Sequence, residues 1–283
     1  MKKVLIGLAA VGLSAAVFAD VTSQNIVGYG PTTLPADGLA VGASFVNVTQ
    51  GAPIDLTDII VKGYDPFDYE SEEGGAYGDV TVQTLTGGGS TDVLYVWLDF
   101  VEKGDTPADD VVWKGWYDFD TEEPLVKGDV VLAPGEGLWS VTTIEDMHLQ
   151  TSGEVATKAD VGTALPADGM MIANPTPVSV DLTNCYITGY DPYDYDSEEG
   201  GAYGDATVQT LTGGGSTDVL YVWLDFVEKG DTPADDVVWH GWYNFDTEEP
   251  LEKDDVVLAP GEGLWSVTTI EDMVFNWPKV DVK

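Results

Sequence analysis

Residues 63–147 recur without a gap as residues 189–273, and the two stretches differ at only seven of eighty-five positions: Phe67/Tyr193, Glu70/Asp196, Val80/Ala206, Lys114/His240, Asp118/Asn244, Val126/Glu252 and Gly128/Asp254. So close a copy constrains the fold more than any compositional figure, because whatever residues 63–147 build has to be built twice in one chain. It also filters chemistry: a group essential to the unit has to stand at both positions. Two earlier landmarks extend the repeat. Leu34-Pro35-Ala36-Asp37-Gly38 matches Leu165-Pro166-Ala167-Asp168-Gly169, and Asp55-Leu56-Thr57 matches Asp181-Leu182-Thr183, so the second copy is five residues shorter between them. The boundary is expected near Gly153, which divides the chain into module 20–152 and module 153–283.

Within each copy, short β-branched and aromatic runs alternate with clusters of Gly, Pro and Asp, the pattern of an all-β domain. Val80–Leu85 and Val93–Leu98 flank Gly87-Gly88-Gly89-Ser90 and read as a hairpin, and Val111–Tyr117 reads as a further strand. Asp129–Leu132 and Gly137–Val141 flank Ala133-Pro134-Gly135-Glu136, where Pro followed by Gly suits the centre of a type II turn. No segment keeps helical periodicity over three turns. The expected architecture is therefore all-β, with two tandem β-sandwich or barrel-like modules.

Gln24-Asn25-Ile26-Val27-Gly28-Tyr29, the Leu34–Gly38 motif, Ile172-Ala173-Asn174-Pro175 and Leu132-Ala133-Pro134-Gly135-Glu136-Gly137-Leu138-Trp139 together resemble a group of exported, uncharacterised β-rich proteins of the Verrucomicrobia, Lentisphaerae and Kiritimatiellae. These are turn and strand signatures, so the resemblance implies an exported β-protein and no particular activity. The first copy departs from it, with Val41-Gly42-Ala43-Ser44 where the second has Ile172–Pro175.

Location and partners follow from the ends and the charge. Lys2 and Lys3, an apolar run from Val4 to Val17 and Val17-Phe18-Ala19 before Asp20 read as a signal peptide spanning 1–19. That run is shorter than the roughly twenty residues of a membrane span, so a secreted, extracellular or cell-surface protein without membrane insertion is expected. The formal charge is −39, with no Arg. This excludes nucleic acid as a partner, since phosphate binding draws on Lys and Arg. It also calls for screening by salt or bound cations, because like charges oppose compaction. A single cysteine, Cys185, cannot form an internal disulfide and reads as a small buried hydrophobe.

Two constellations carry potential chemistry. Asp65 precedes a loop in which Asp68, Glu70, Glu72 and Asp79 fall at the spacing of a calcium loop, repeated as Asp191 before Asp194, Asp196, Glu198 and Asp205. The sixth loop position is Glu rather than Gly and the glycines come one residue late, so the expectation is an oxygen-rich Ca2+ loop without the EF-hand fold; a solvated acidic turn is the competing reading. Asp118–Glu123 is a weaker acidic cluster, since Asp118 becomes Asn244. The second constellation is aromatic: Trp116 and Tyr117, copied as Trp242 and Tyr243, are candidate ligand-stacking rings, against the alternative that they fill the core. Neither His148 nor His240 is copied, which speaks against a His-based triad or zinc site and against an enzyme. The functional expectation is a secreted structural or adhesive protein of calcium-stabilised modules that associates with itself or with matrix. The alternative is a calcium-dependent carbohydrate-binding protein.

Overall fold

A computed structural model describes residues 27–34, 41–42, 54–84, 92–144, 146–154, 161–210 and 218–279. The signal-peptide expectation, the Gly87–Ser90 turn and most of Leu34–Gly38 lie outside the described residues. Residues 27–154 supply β1 (Val27–Thr33), β2 (Val41–Gly42), β3 (Ile54–Asp55), β4 (Ile60–Lys62), β5 (Ala76–Gln83), β6 (Leu94–Glu102), β7 (Val111–Asp118), β8 (Val131–Leu132), β9 (Trp139–Thr142) and β10 (His148–Glu154). Residues 161–277 supply β11 (Val161–Ala164), β12 (Met170–Ala173), β13 (Val180–Asp181), β14 (Tyr186–Thr188), β15 (Ala202–Thr210), β16 (Leu220–Glu228), β17 (Val237–Asn244), β18 (Val257–Leu258), β19 (Gly263–Thr268) and β20 (Val274–Trp277). The fold is all-β, with no closed sheet and no α-helix among the described residues. No helix there is long and apolar enough to cross a membrane.

The strands join in the same order twice. Five-stranded sheets run β2-β9-β5-β6-β7 and β12-β19-β15-β16-β17, three-stranded sheets run β1-β10-β4 and β11-β20-β14, and β3-β8 and β13-β18 form ribbons. β5 and β6 pair antiparallel from Gln83↔Leu94, which gives the hairpin expected around the glycine run. The Pro-Gly segment behaves otherwise. Glu136 N–H donates to Ala133 C=O and Gly135 has φ +82, so the turn is of type II, yet β8 pairs with β3 while β9 pairs with β5 and β2. It is a corner that carries the chain from one sheet to another.

Register refines the alignment of the two copies. Leu34 and Leu165 donate to Met147 and Met273, while Val41 faces Ser140 and Met170 faces Ser266. Val41 therefore corresponds to Met170 and not to Ile172, so the five missing residues are divided on the two sides of β12. β10 continues past the expected boundary at 152, with Glu154 facing Val27.

Alternation along the strands sends one face inward. In the first half, Val61, Ala76, Val80, Val82, Tyr95, Trp97, Trp116, Leu132, Leu138, Met147 and Leu149 join one buried cluster. In the second half, Ile187, Ala202, Ala206, Val208, Tyr221, Trp223, Trp242, Leu258, Leu264, Met273 and Phe275 do the same, and no residue is shared between the clusters. Cys185 fills the site that Ile59 fills in the first copy: each backbone carbonyl accepts from an indole N–H, Trp242 to Cys185 and Trp116 to Ile59, both at 2.9 Å. The buried thiol thus behaves as the small hydrophobe the sequence suggested.

The halves touch through the Pro-Gly corner. Gly137 N–H donates to Met171 C=O at 2.8 Å, Ala173 N–H donates to Gly135 C=O at 2.9 Å, and Glu136 bridges Ile172 on the outer edge of β12. Beside it, Trp277 Nε1–H donates to Thr163 Oγ1 at 3.0 Å, and the Thr163 hydroxyl donates to Pro134 C=O at 2.9 Å. A Cβ on Gly135 would stand 1.9 Å from Thr163 Oγ1 and 2.7 Å from Trp277 Nε1, so only glycine fits this corner.

Candidate functional site

The acidic loop is organised by its own backbone. Asp68 N–H donates to Glu73 C=O and Glu72 N–H to Asp68 C=O, both at 2.8 Å, while Glu72 takes a left-handed φ of 60. The Asp68 carboxylate accepts from Glu70 N–H at 2.9 Å and from the Ser71 hydroxyl at 2.7 Å. The Ser71 hydroxyl is the larger cause, and with the backbone donors it holds the Asp68 carboxyl below its ordinary range; Asp194, with Ser197, repeats this. The late glycines have a steric reason: a Cβ on Gly74 would come within 2.6 Å of Pro66 O, and one on Gly75 within 2.4 Å of Asp99 O. They let the loop fold down on its own start and on β6.

The carboxylate at the far end of the calcium spacing has a different task. Pairing of β5 with β6 shifts between Tyr77 and Thr81, and Asp79 sits in that bulge. Its carboxylate accepts from Tyr77 N–H at 3.1 Å and from the Thr143 hydroxyl at 3.1 Å, as Asp205 accepts from Tyr203 and Thr269. Asp65, Glu70 and Glu72, like Asp191, Asp196 and Glu198, are exposed. Asp68 and Asp79 thus serve two separate local structures, and among the described residues no group of three or more His, Cys, Asp or Glu is placed to hold a metal ion.

The second acidic cluster is a turn of the same kind. Asp118 accepts from Asp120 N–H at 3.0 Å and Thr121 N–H at 2.9 Å, and Asn244 accepts from Asp246 N–H and Thr247 N–H at 2.9 and 3.1 Å. What the position needs is an oxygen acceptor. Either an amide or a carboxylate supplies it, which accounts for the exchange.

The expected stacking rings divide. Trp116 and Trp242 are each 3% exposed, lie in the two cores and meet Trp97 and Trp223 edge-on, so they offer no ring to a ligand. Tyr117 and Tyr243 are buried on the opposite face, which Tyr117 shares with Trp113 as alternation along the strand predicts, beneath a row of rings whose other members, Tyr77 and Phe100, sequence reading did not single out. Tyr77 on β5 stacks on Phe100 of β6 at 4.7 Å, Phe100 on Trp113 of β7 at 5.9 Å, and Trp113 tilts against Tyr117 at 5.2 Å. Tyr203, Phe226, Trp239 and Tyr243 repeat the row. Tyr77, 58% exposed, is its open end. The signal was present as alternation: Tyr77, Phe100 and Trp113 are the aromatics on strands whose other face is core.

A buried acid was also missed. Asp99 is 6% exposed, accepts from Tyr64 Oη at 3.0 Å, and lies 3.3 Å from Lys114 Nζ; Tyr64 Oη accepts in turn from Trp97 Nε1 at 2.9 Å. In the copy, Trp223, Tyr190 and Asp225 repeat the chain and His240 Nδ1 stands 3.0 Å from the carboxylate. Burial, together with the neighbouring Asp99 charge, pushes the Tyr64 hydroxyl up to about 12, although the Trp97 donor works against this. An Asp–His pair alone would suggest proton transfer. The Lys in its place in the other copy shows that the position does not call for an imidazole: what the copies share is a side-chain nitrogen 3.0–3.3 Å from the carboxylate.

This geometry defines an all-β protein whose duplicated surface features are turns, bulges and ring rows. Comparison with protein-family models, with curated proteins and with solved structures finds no match.

Proposed function

We propose that this chain is an exported structural or adhesive protein of the cell surface or extracellular matrix, made of two tandem β-sandwich modules and associating with further copies of itself. The observation that carries the reading is the duplication of surfaces without the duplication of a catalytic set. The sheet order, acidic loops and ring rows all occur twice, whereas the one exposed group over the buried Asp changes from Lys114 to His240. In each half, a core drawing on the five- and three-stranded sheets supports the sandwich description. Catalysis has no place in the proposal.

Calcium enters through charge rather than through a preformed cage. A chain of formal charge −39 repels its own copies, and a divalent ion bound by exposed carboxylates at Asp65, Glu70, Glu72 and their counterparts Asp191, Asp196 and Glu198 relieves that repulsion. Sedimentation of the purified chain in millimolar calcium and in chelator tests this. Assembly that grows with calcium and is weakened by Asp191→Ala with Asp196→Ala supports it; a monomer at high concentration in both buffers defeats it.

The ring rows favour a second reading, carbohydrate binding, with Tyr77 and Tyr203 as the accessible ends and duplication supplying avidity. A glycan array whose signal disappears with Tyr77→Ala and Tyr203→Ala would place this reading first.

A further inference from the structure

We infer that the outer edges of the five-stranded sheets, β7 and β17, are the surfaces through which copies of this chain join, strand to strand. The inference rests on the self-association proposed above and names the site for it. Sheet order leaves β7 and β17 as edge strands, while the opposite edges, β2 and β12, lie against each other within the chain. The end of each edge is covered, since Leu125 N–H donates to Trp116 C=O and Asp118 N–H to Glu123 C=O, with Leu251 and Asn244 repeating this, and midway Lys114 N–H donates to Tyr117 Oη at 3.1 Å as His240 N–H does to Tyr243 Oη at 3.4 Å, which leaves the backbone groups around Val112 and Val238 as the open stretch. From Val111 to Gly115, and from Val237 to Gly241, no strand among the described residues pairs on the outer side. Because the carbonyl of Trp116 and the N–H of Asp118 point outward, and because register with β6 is unbroken, alternation also turns the backbone groups of Val112 outward.

Side chains and charge select the occupant. Val112 and Val238 are 54% and 55% exposed, and Val111 and Val237 are exposed beside them. Val111–Tyr117 and Val237–Tyr243 are seven-residue runs rich in β-branched and aromatic residues, without Pro and without a carboxylate. Segments of high β-propensity and low net charge without Pro, exposed on an edge, pair with their own sequence. In a chain carrying 50 Asp and Glu against 11 Lys, these runs bring no carboxylate of their own against a second copy. An added strand would also continue the ring row beyond Trp113. Since each chain carries two edges, pairing β7 of one copy with β17 of the next is a head-to-tail contact that propagates as a filament.

The test is light scattering on the exported chain across protein concentration, at low salt and at about 1 M salt, where the Debye length falls to about 3 Å. Val112→Pro and Val238→Pro remove an outward donor without touching the β6 or β16 ladder. Val112→Glu and Val238→Glu, at exposed positions, place a charge on the same edge and serve if proline disturbs folding. Wild type should grow with concentration at high salt to many times the monomer mass, whereas either single-edge variant, like the double variant, should stay monomeric, because every head-to-tail contact needs one intact β7 and one intact β17. If wild type polymerises and the folded double-Glu variant polymerises equally, the edges are not the contact, although self-association stands. A wild type that stays monomeric throughout overturns self-association itself.

Discussion

Gly135→Ala tests how the two halves are held together. With φ +82 and a Cβ directed at Thr163 Oγ1 and Trp277 Nε1, both of buried residues, alanine meets a conformational and a steric barrier at once. The left-handed conformation alone costs about 1–2 kcal/mol in an L-residue, less the roughly 0.4–1 kcal/mol that alanine gains by restricting the unfolded chain. Relieving the clash separates Pro134 from Thr163 and leaves buried polar groups short of partners, at about 1–3 kcal/mol each. The expected loss is therefore about 3–5 kcal/mol. Gly128→Ala is the control, since Gly128 has φ +103 but nothing within 4 Å of its Cβ position, so only the conformational part, about 1 kcal/mol, applies. Urea unfolding followed by fluorescence of the nine Trp residues measures both variants. Equal losses for the two would show that the corner is not fastened to Thr163 and Trp277, and the reasoning would fail.

Further outcomes follow from the same geometry. Trp116→Ala or Trp242→Ala should lower stability by about 3–5 kcal/mol in chemical denaturation, as core rings do; a loss below about 1 kcal/mol contradicts their core placement. Asp118→Asn should be nearly neutral while Asp118→Ala loses about 1 kcal/mol, because the turn needs an acceptor rather than a charge; similar melting temperatures for the two would remove that explanation. Burial works to raise the Asp55 and Asp181 carboxyls, but donations from Thr57 and Gly128, or Thr183 and Asp254, outweigh it and leave both lowered. With folded values below the ordinary 3.8, their contribution is complete above that pH and is lost as pH falls through the folded values. Thermal melts should show Asp55→Asn with Asp181→Asn flattening that acid limb; an unchanged limb would assign acid sensitivity elsewhere.

Some of this was written in local sequence. Alternation in Val93–Leu98 and Val111–Tyr117 marks strands, Pro134-Gly135 marks a type II turn, and the near-identical copies require that a fold be repeated. These depend on a few adjacent residues, whose backbone preferences and inside-outside pattern act before any distant contact forms. The charge, too, could be read directly, and with it the need for screening.

What the sequence could not decide was where each group meets its partners. Asp68 and Asp79 stand at calcium spacing along the chain, but a bulge at Tyr77–Thr81 and a turn at Asp68–Glu73 give them to separate tasks. Trp116 and Trp113 are three residues apart, so alternation puts them on opposite faces of the strand, but only sheet packing decides that the face of Trp116 is the core and that of Trp113 the ring row. Asp99 becomes a buried acid because Tyr64 and Lys114, 35 and 15 positions away, converge on it. Similarly, β7 and β17 become open edges through the order of distant strands. The sequence alone determined the secondary structure, the repeat and the charge, because these are local or additive; the tertiary structure decided burial, convergence and edges, because these depend on residues far apart in the chain that meet only when it folds.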